Sequence, residues 1–175
     1  MVDEAYIDFA SGQSALELLE TSDRLVVLQT FSKAWGMAGA RLGVAFAAPS
    51  IVSALSKVKL PYNVNSLTQR YVRERLNDAA IIARQVEEIK GERSRVAEAL
   101  KRLPQVTEVL PSEANFILFR VERSAELFNR LRAEGIIVRD RSRDLFCEGS
   151  LRVTIGTRVE NDRALTVIAE WAREA

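Results

Sequence analysis

The sequence predicts an α/β chain: a partial sheet with its helices, a long connecting helix, and a small α+β domain at the end. Three features carry that reading. Short runs of β-branched and aliphatic residues fill the first part of the chain, and a middle stretch repeats its apolar positions near the helical period. The remainder alternates strand-like with helix-like segments.

Residues 1–7 (MVDEAYI) read as the tail of a strand, with 24–29 (RLVVLQ) and 42–47 (LGVAFA) as two more. Their lack of polar alternation suits parallel-type strands buried on both faces. Between the first two, residues 14–20 place Ala15, Leu16, Leu18 and Leu19 on a short helix. Pro49-Ser50 opens a helical stretch to about Lys59, and Pro61 closes it. Over 66–103, Leu67, Val72, Leu76, Ile81, Ile82, Val86, Ile89, Val96 and Leu100 recur near the 3.6-residue spacing. That length exceeds an ordinary globular helix, so a break at Asn77-Asp78 or a bend near Gly91 is expected. After Pro104, residues 105–110 and 115–121 read as strands, and 124–134 as a helix capped by Ser124 and ended by Gly135. Residues 136–139 and 151–155 are further strands, and 160–174 form a closing helix. The expected division is 1–65 for a partial large domain, 66–103 for the helical connector, and 104–175 for the small α+β domain.

Composition removes several function classes. With 25 Lys+Arg against 24 Asp+Glu the net charge is +1, which gives no electrostatic footprint for nucleic acid or an anionic membrane. No apolar run approaches the roughly 20 residues of a membrane-spanning helix, so a soluble protein is expected. Cys147 stands alone, which excludes an intramolecular disulfide and suits a reducing cytoplasm. Histidine is absent. Ser-His and Cys-His nucleophiles, imidazole acid–base chemistry and His-ligated zinc go with it. Chemistry here rests on Lys, Tyr, Asp, Glu or Arg, or on a bound cofactor.

The informative segment is TFSKAWGMAGARLG, residues 30–43. It sets Lys33 just after a buried strand, with Thr30 and Ser32 before it and Arg41 after it. Partial desolvation and a nearby guanidinium both favour the neutral, nucleophilic amine that condenses with an aldehyde. Ser32, Thr30 and Arg41 offer hydroxyl and guanidinium donors suited to a phosphate monoester. A Schiff-base lysine beside a phosphate cup is the logic of a pyridoxal-phosphate site. Such a site also needs a carboxylate on the pyridine nitrogen; Asp3, at the end of the first strand, is the candidate, with Tyr6 placed to bond the phenolic oxygen. Asp3 and Lys33 both fall at carboxyl ends of strands, where open α/β sheets gather ligands. Taken singly, a Ser-Lys pair is a solvated loop, an Asp-Glu pair a turn or helix cap, and the glycines turn formers. Their joint order and strand context are far more specific.

DEAYIDF followed by QTFSKAWGMAGARLGVAFA resembles the fold-type-I pyridoxal-phosphate enzymes, and among them the histidinol-phosphate aminotransferases. PYNVNSLTQ, EANFILFRV, GIIVRDRS and LRVTIGTRVEND extend the likeness in order through essentially the whole chain. The resemblance implies that Lys33 is the Schiff-base lysine and proton shuttle. It also implies that Asp3 and Tyr6 hold the pyridine nitrogen and phenolic oxygen, and that Ser32 and Arg41 anchor the cofactor phosphate. Arg152 and Arg139 match arginines of the substrate's anion pocket, which would take histidinol phosphate or imidazole-acetol phosphate in one half-reaction and glutamate or 2-oxoglutarate in the other. Amino-acid-phosphate decarboxylases share most of these motifs, so pyridoxal-phosphate-dependent decarboxylation is the alternative. The segments that the family places before DEAY are not among these residues: a glycine-bearing phosphate loop, a ring stacked on the pyridine and an asparagine on the phenolic oxygen. The expectation is therefore the C-terminal part of a cytoplasmic homodimer, inactive by itself or a non-catalytic piece needing its N-terminal half. Tyr62 and Asn63, polar groups near the expected domain junction, are weak site candidates, with a structural role the favoured reading.

Overall fold

The computed structural model describes residues 1–174; Ala175, at the end of the expected small domain, lies outside the described residues. The chain divides into two compact units, Met1–Val86 and Glu87–Ala175.

In the first unit β1 (Val2–Asp3) runs parallel to β2 (Val26–Thr30), and β2 pairs antiparallel with β3 (Gly43–Ala47). The register sets Asp3 beside Leu28 and Thr30 opposite Gly43. Since β1 and β2 share a direction, their carboxyl ends meet at one edge. Burial on both faces, expected of all three strands, is not what they show. Val27 in central β2 is fully buried, whereas β1 is exposed and Gly43, Ala45 and Phe46 of β3 are exposed. β1 and β3 are edge strands with one neighbour each, and β3 is antiparallel; an apolar run by itself fixes neither cover nor direction.

Residues 14–20 form a 3₁₀ helix, Ala15–Glu20, capped by Ser14, whose side chain accepts from Leu16 N at 3.1 Å. Helix α1 (Pro49–Val58) starts on Pro49, as the fixed proline φ favours. Helix α2 (Ser66–Arg75) is capped by Asn65, which accepts from Thr68 N at 2.9 Å. A 3₁₀ turn, Leu76–Asp78, then separates α2 from α3 (Ala79–Lys101). The break therefore falls at Asn77-Asp78, where Asn77 Nδ2 donates to Glu74 O at 3.1 Å and Arg75 pairs with Asp78. Gly91 lies inside an uninterrupted α3. A lone helical glycine costs about 1 kcal/mol, which lowers propensity without forcing a bend.

The second unit is a four-stranded antiparallel sheet in the order β4-β5-β7-β6, from β4 (Val106–Val109), β5 (Phe116–Val121), β6 (Arg139–Asp140) and β7 (Ser150–Thr154). Helix α4 (Ser124–Ala133) follows β5, and α5 (Arg158–Glu174) follows β7. Alternate residues of β5, namely Ile117, Phe119 and Val121, join Leu151 and Val153 of β7 in one buried face. That face belongs to a single core with Val96 and Leu100 of α3, Leu127 and Leu131 of α4, and Val167, Ile168 and Trp171 of α5. Each such aliphatic side chain contributes on the order of 2 kcal/mol by leaving water.

Two helix ends depart from expectation. Ser124 is the first helical residue of α4 rather than its cap; Arg123 occupies the cap position without a side-chain hydrogen bond and pairs with Glu126 at 3.1 Å. At the other end Gly135 adopts φ +73°, its N–H donating to Arg132 O at 3.0 Å and that of Ile136 to Leu131 O at 2.9 Å. This is a Schellman closure. It consumes the Ile136 amide, so the strand expected over 136–139 shrinks to Arg139–Asp140. Helix α5 starts earlier than expected because Thr157 and Glu160 form a capping box, with Thr157 N donating to Glu160 Oε2 at 2.7 Å.

The end of β7, α3 and α5 are joined through Glu92. Its carboxylate accepts from Arg95 Nε at 2.9 Å and Nη2 at 2.7 Å, and from Asn161 Nδ2 at 2.9 Å; Asn161 Oδ1 in turn accepts from Gly156 N at 2.9 Å. The hydrogen-bonded Arg95 guanidinium, with Asn161 and the charge of Arg158, outweighs burial and holds Glu92 at about 2 against an ordinary 4.5. A carboxylate depressed in the folded state stabilises fully above its unfolded value and loses that contribution as pH falls toward its folded value. Urea unfolding between pH 7 and pH 3 therefore shows stability declining below about 4.5. Glu92→Gln is less stable at pH 7 by roughly 1.5–3 kcal/mol and has a flatter acid limb.

Candidate active site

The carboxyl edge shared by β1 and β2 carries five of the residues singled out from sequence. Asp3 ends β1 and is exposed; its Oδ1 accepts from Ala5 N at 3.0 Å, which turns the chain toward Tyr6. Three residues beyond β2, Lys33 sits on a tight turn in which Gly36 N donates to Lys33 O at 3.0 Å and Met37 N to Phe31 O at 2.9 Å. Gly36 has φ +64°, a conformation that favours glycine, while Met37 is buried and fixes the turn to the unit. Phe31 and Trp35 meet edge-to-face with centroids 5.8 Å apart.

The turn brings the Lys33 amine over the Tyr6 ring, 5.2 Å from its centroid. Lys33 Nζ makes no hydrogen bond or ion pair among the described residues, and the residue is exposed. The expected partial desolvation of this amine is thus not met: the loop projects from the sheet edge, and no described side chain encloses it. Ser32 is half-buried, with its backbone N–H donating to Thr30 Oγ1 at 3.1 Å. Arg41 follows a 3₁₀ turn in the left-handed region at φ +53°, and its Nη1 donates to Ala38 O at 3.2 Å. Its guanidinium forms no ion pair among the described residues, so it is free to meet an anion.

Glu4, between two of these candidates, was not singled out. It is 7% exposed and accepts three hydrogen bonds: from Ser14 Oγ at 2.7 Å, Ala15 N at 2.6 Å and Gln29 Nε2 at 2.9 Å. The available signal was the reading of the Asp-Glu pair as a helix cap, because Ala15 opens the 3₁₀ helix. Burial alone would push this carboxyl up, but the hydrogen bonds from Gln29, Ser14 and Ala15 together hold it below the usual range. Tyr62 is almost wholly exposed and joins none of this.

In the second unit the β6–β7 ladder sets Arg139 directly opposite Arg152. Opposed residues of an antiparallel pair share a face, and like charges so placed repel. Arg152 stacks its guanidinium over Phe116, 4.8 Å from the ring centroid, while its Nε is buried without a hydrogen-bond partner. A buried donor without a partner among the described residues, on a strand position opposite a second arginine, favours an anion at this face. Phe116, the ring beneath Arg152, was read from sequence only as a strand residue.

An amine, a carboxylate, a phenol and a guanidinium without an ion-pair partner among the described residues thus lie at the carboxyl edge of a partly parallel sheet, on a chain that ends in an α+β unit. The profile described as aminotransferase class I and II matches residues 1–168, and the chain belongs to that family. Within it, the chain is 49% identical over 168 residues to the histidinol-phosphate aminotransferase of Parabacteroides distasonis, covering 96% of this chain and 49% of that protein. The solved histidinol-phosphate aminotransferase of Clostridium acetobutylicum superposes with a TM-score of 0.90 at 23% identity, over 99% of this chain and 54% of that one. The Sinorhizobium meliloti enzyme, solved in complex with pyridoxal-5'-phosphate, superposes with a TM-score of 0.83 at 23% identity, over 98% and 48% of the two chains. The chain spans about half the length of the curated relatives it matches.

The left-handed backbone at Arg41 gives a stability prediction. Arg41→Gly relieves the Cβ penalty and Arg41→Ala retains it, so thermal unfolding places the glycine variant above the alanine variant by about 1 kcal/mol.

Proposed function

We propose that the chain is part of a pyridoxal-phosphate-dependent aminotransferase that moves an amino group between histidinol phosphate or imidazole-acetol phosphate and glutamate or 2-oxoglutarate, in histidine biosynthesis. The observation that carries this reading is the unpaired Lys33 amine above Tyr6, on the edge that also bears Asp3. The donor set fits the cofactor: Asp3 has a carboxylate oxygen beyond the one engaged with Ala5, and the Ser32 hydroxyl and Arg41 guanidinium have no charged partner among the described residues. When bound, pyridoxal phosphate supplies an electron sink for the negative charge left at a substrate α-carbon after deprotonation. Asp3 would keep the pyridine N–H protonated, Tyr6 would bond the phenolic oxygen, and Ser32 and Arg41 would hold the phosphate. Lys33 Nζ is the group that takes the proton from the substrate α-carbon.

Arg139 and Arg152 would hold the substrate's anionic end. Paired guanidiniums accept a phosphate or a carboxylate in the same planar, bidentate manner, which one pocket serving both half-reactions requires. Filling that pocket also gives the buried Arg152 Nε the partner it lacks. The whole enzyme is read as a cytoplasmic homodimer, on its likeness to fold-type-I enzymes. No described helix is long and apolar enough to cross a membrane.

In the full-length enzyme, Lys33→Ala abolishes amino transfer from histidinol phosphate to 2-oxoglutarate; sustained multiple turnover rejects the assignment. Carbon dioxide release from an amino-acid phosphate, without amino transfer, selects decarboxylation instead. Arg152→Gln raises the KM for both substrates, and a change for only one of them argues against a shared pocket.

A further inference from the structure

The Glu4 carboxylate is a buried ionisable group that none of the roles above uses. Its three donors come from separate pieces of chain. Ser14 and Ala15 open the 3₁₀ helix, and Gln29 lies on β2 between Leu28, the register partner of Asp3, and the turn that carries Lys33. Its backbone is engaged as well: Glu4 N donates to Leu28 O at 2.8 Å, adding a rung beyond Asp3, and Glu4 O accepts from Ile7 N at 3.2 Å across the turn that holds Tyr6. The residue before Glu4 and the second residue after it are both candidate cofactor contacts.

We propose that Glu4 is a positioning residue. Its carboxylate locks the Asp3–Tyr6 turn to β2 through Gln29, so that the Lys33 amine and the Asp3 carboxylate are held in one frame for a single aldehyde-bearing pyridine. This rests on the cofactor reading above. Three donors converge on the site, so it demands an acceptor that brings no hydrogens of its own, and a carboxylate is the side chain that meets the demand. Glutamine fits the volume but turns an N–H₂ toward one of the three donors, which leaves at least one buried N–H or O–H unmatched. The Asp3–Tyr6 turn then keeps its backbone rungs to β2, Glu4 N to Leu28 O among them, and loses part of its side-chain anchorage.

The test uses the full-length enzyme with pyridoxal phosphate, borohydride reduction and peptide mapping, which reports how labelling distributes between Lys33 and the other four lysines of this chain, Lys57, Lys59, Lys90 and Lys101. The wild type labels Lys33 in preference to the other four. Glu4→Gln reduces that preference about tenfold, as the loss of one charge-assisted hydrogen bond implies, with labelling of the other lysines unchanged. Gln29→Met, which cuts the link to β2 and leaves the carboxylate in place, reduces it in the same direction. Amide exchange across β2 and β3 is followed in each variant, so that selectivity is compared between folded proteins. If Glu4→Gln unfolds the first unit, Gln29→Met decides. A wild type without preference for Lys33 overturns the cofactor reading and the proposal with it. A wild-type preference that survives in the folded variants, with only Tm lowered, makes Glu4 merely structural and overturns the proposal alone.

Discussion

A carboxylate taken out of water must be hydrogen-bonded on every side, and that constraint organises the first unit. Glu4 meets it by collecting donors from the start of a 3₁₀ helix and from the neighbouring strand. Backbone bonds pair β1 with β2, and the carboxylate adds side-chain bonds just beyond that ladder. The buried carboxylate makes the end of that strand a fixed point. Asp3 and Tyr6 inherit their places from it, and Lys33 inherits its own from β2, the strand on which Gln29 sits. The candidate site is a sheet edge whose geometry is set one residue away from the groups that would do the chemistry.

The second unit solves a related problem with the opposite charge. Glu92 is held by two guanidiniums and an amide, and it fastens the chain leaving β7 to α3 and α5. On the other face of the same sheet, Arg139 and Arg152 face each other with no carboxylate between them. The unit pairs Arg95 with Glu92 and Asp162 and Arg120 of β5 with Glu108, and leaves Arg152 Nε without a partner among the described residues. Phe116 lowers the cost by offering an aromatic face to one of them. Charge is quenched where Glu92 joins the helices and left open on the face proposed to receive an anion.

Sequence alone revealed those elements whose periodicity or punctuation is local. The break at Asn77-Asp78, the proline start of α1 and the glycine end of α4 all appear in the structure because each is decided within one or two turns of chain. Details decided by distant partners were not visible. The exposure of β3 depends on which strands flank it, and the shortened β6 depends on a capping bond from Ile136 back to Leu131. The candidate site divides in the same way. Lys33, Asp3, Tyr6, Ser32 and Arg41 stand out by residue type next to strand ends. Glu4 does not, because its importance lies in donors at positions 14, 15 and 29 that only folding brings together.

The closure of α4 reaches further than one helix end. Gly135 and Ile136 fix where the chain leaves the helix, and Val138 then points into the core while the next residue, Arg139, lies on the open face. Strand side chains alternate, so adding or removing one residue between Gly135 and Arg139 would exchange those two directions. A guanidinium would be driven into the hydrophobic interior and a valine set out in water. This stretch can vary in what its side chains are but not in how many there are, and its length acts as a parity lock on the orientation of the arginine that follows.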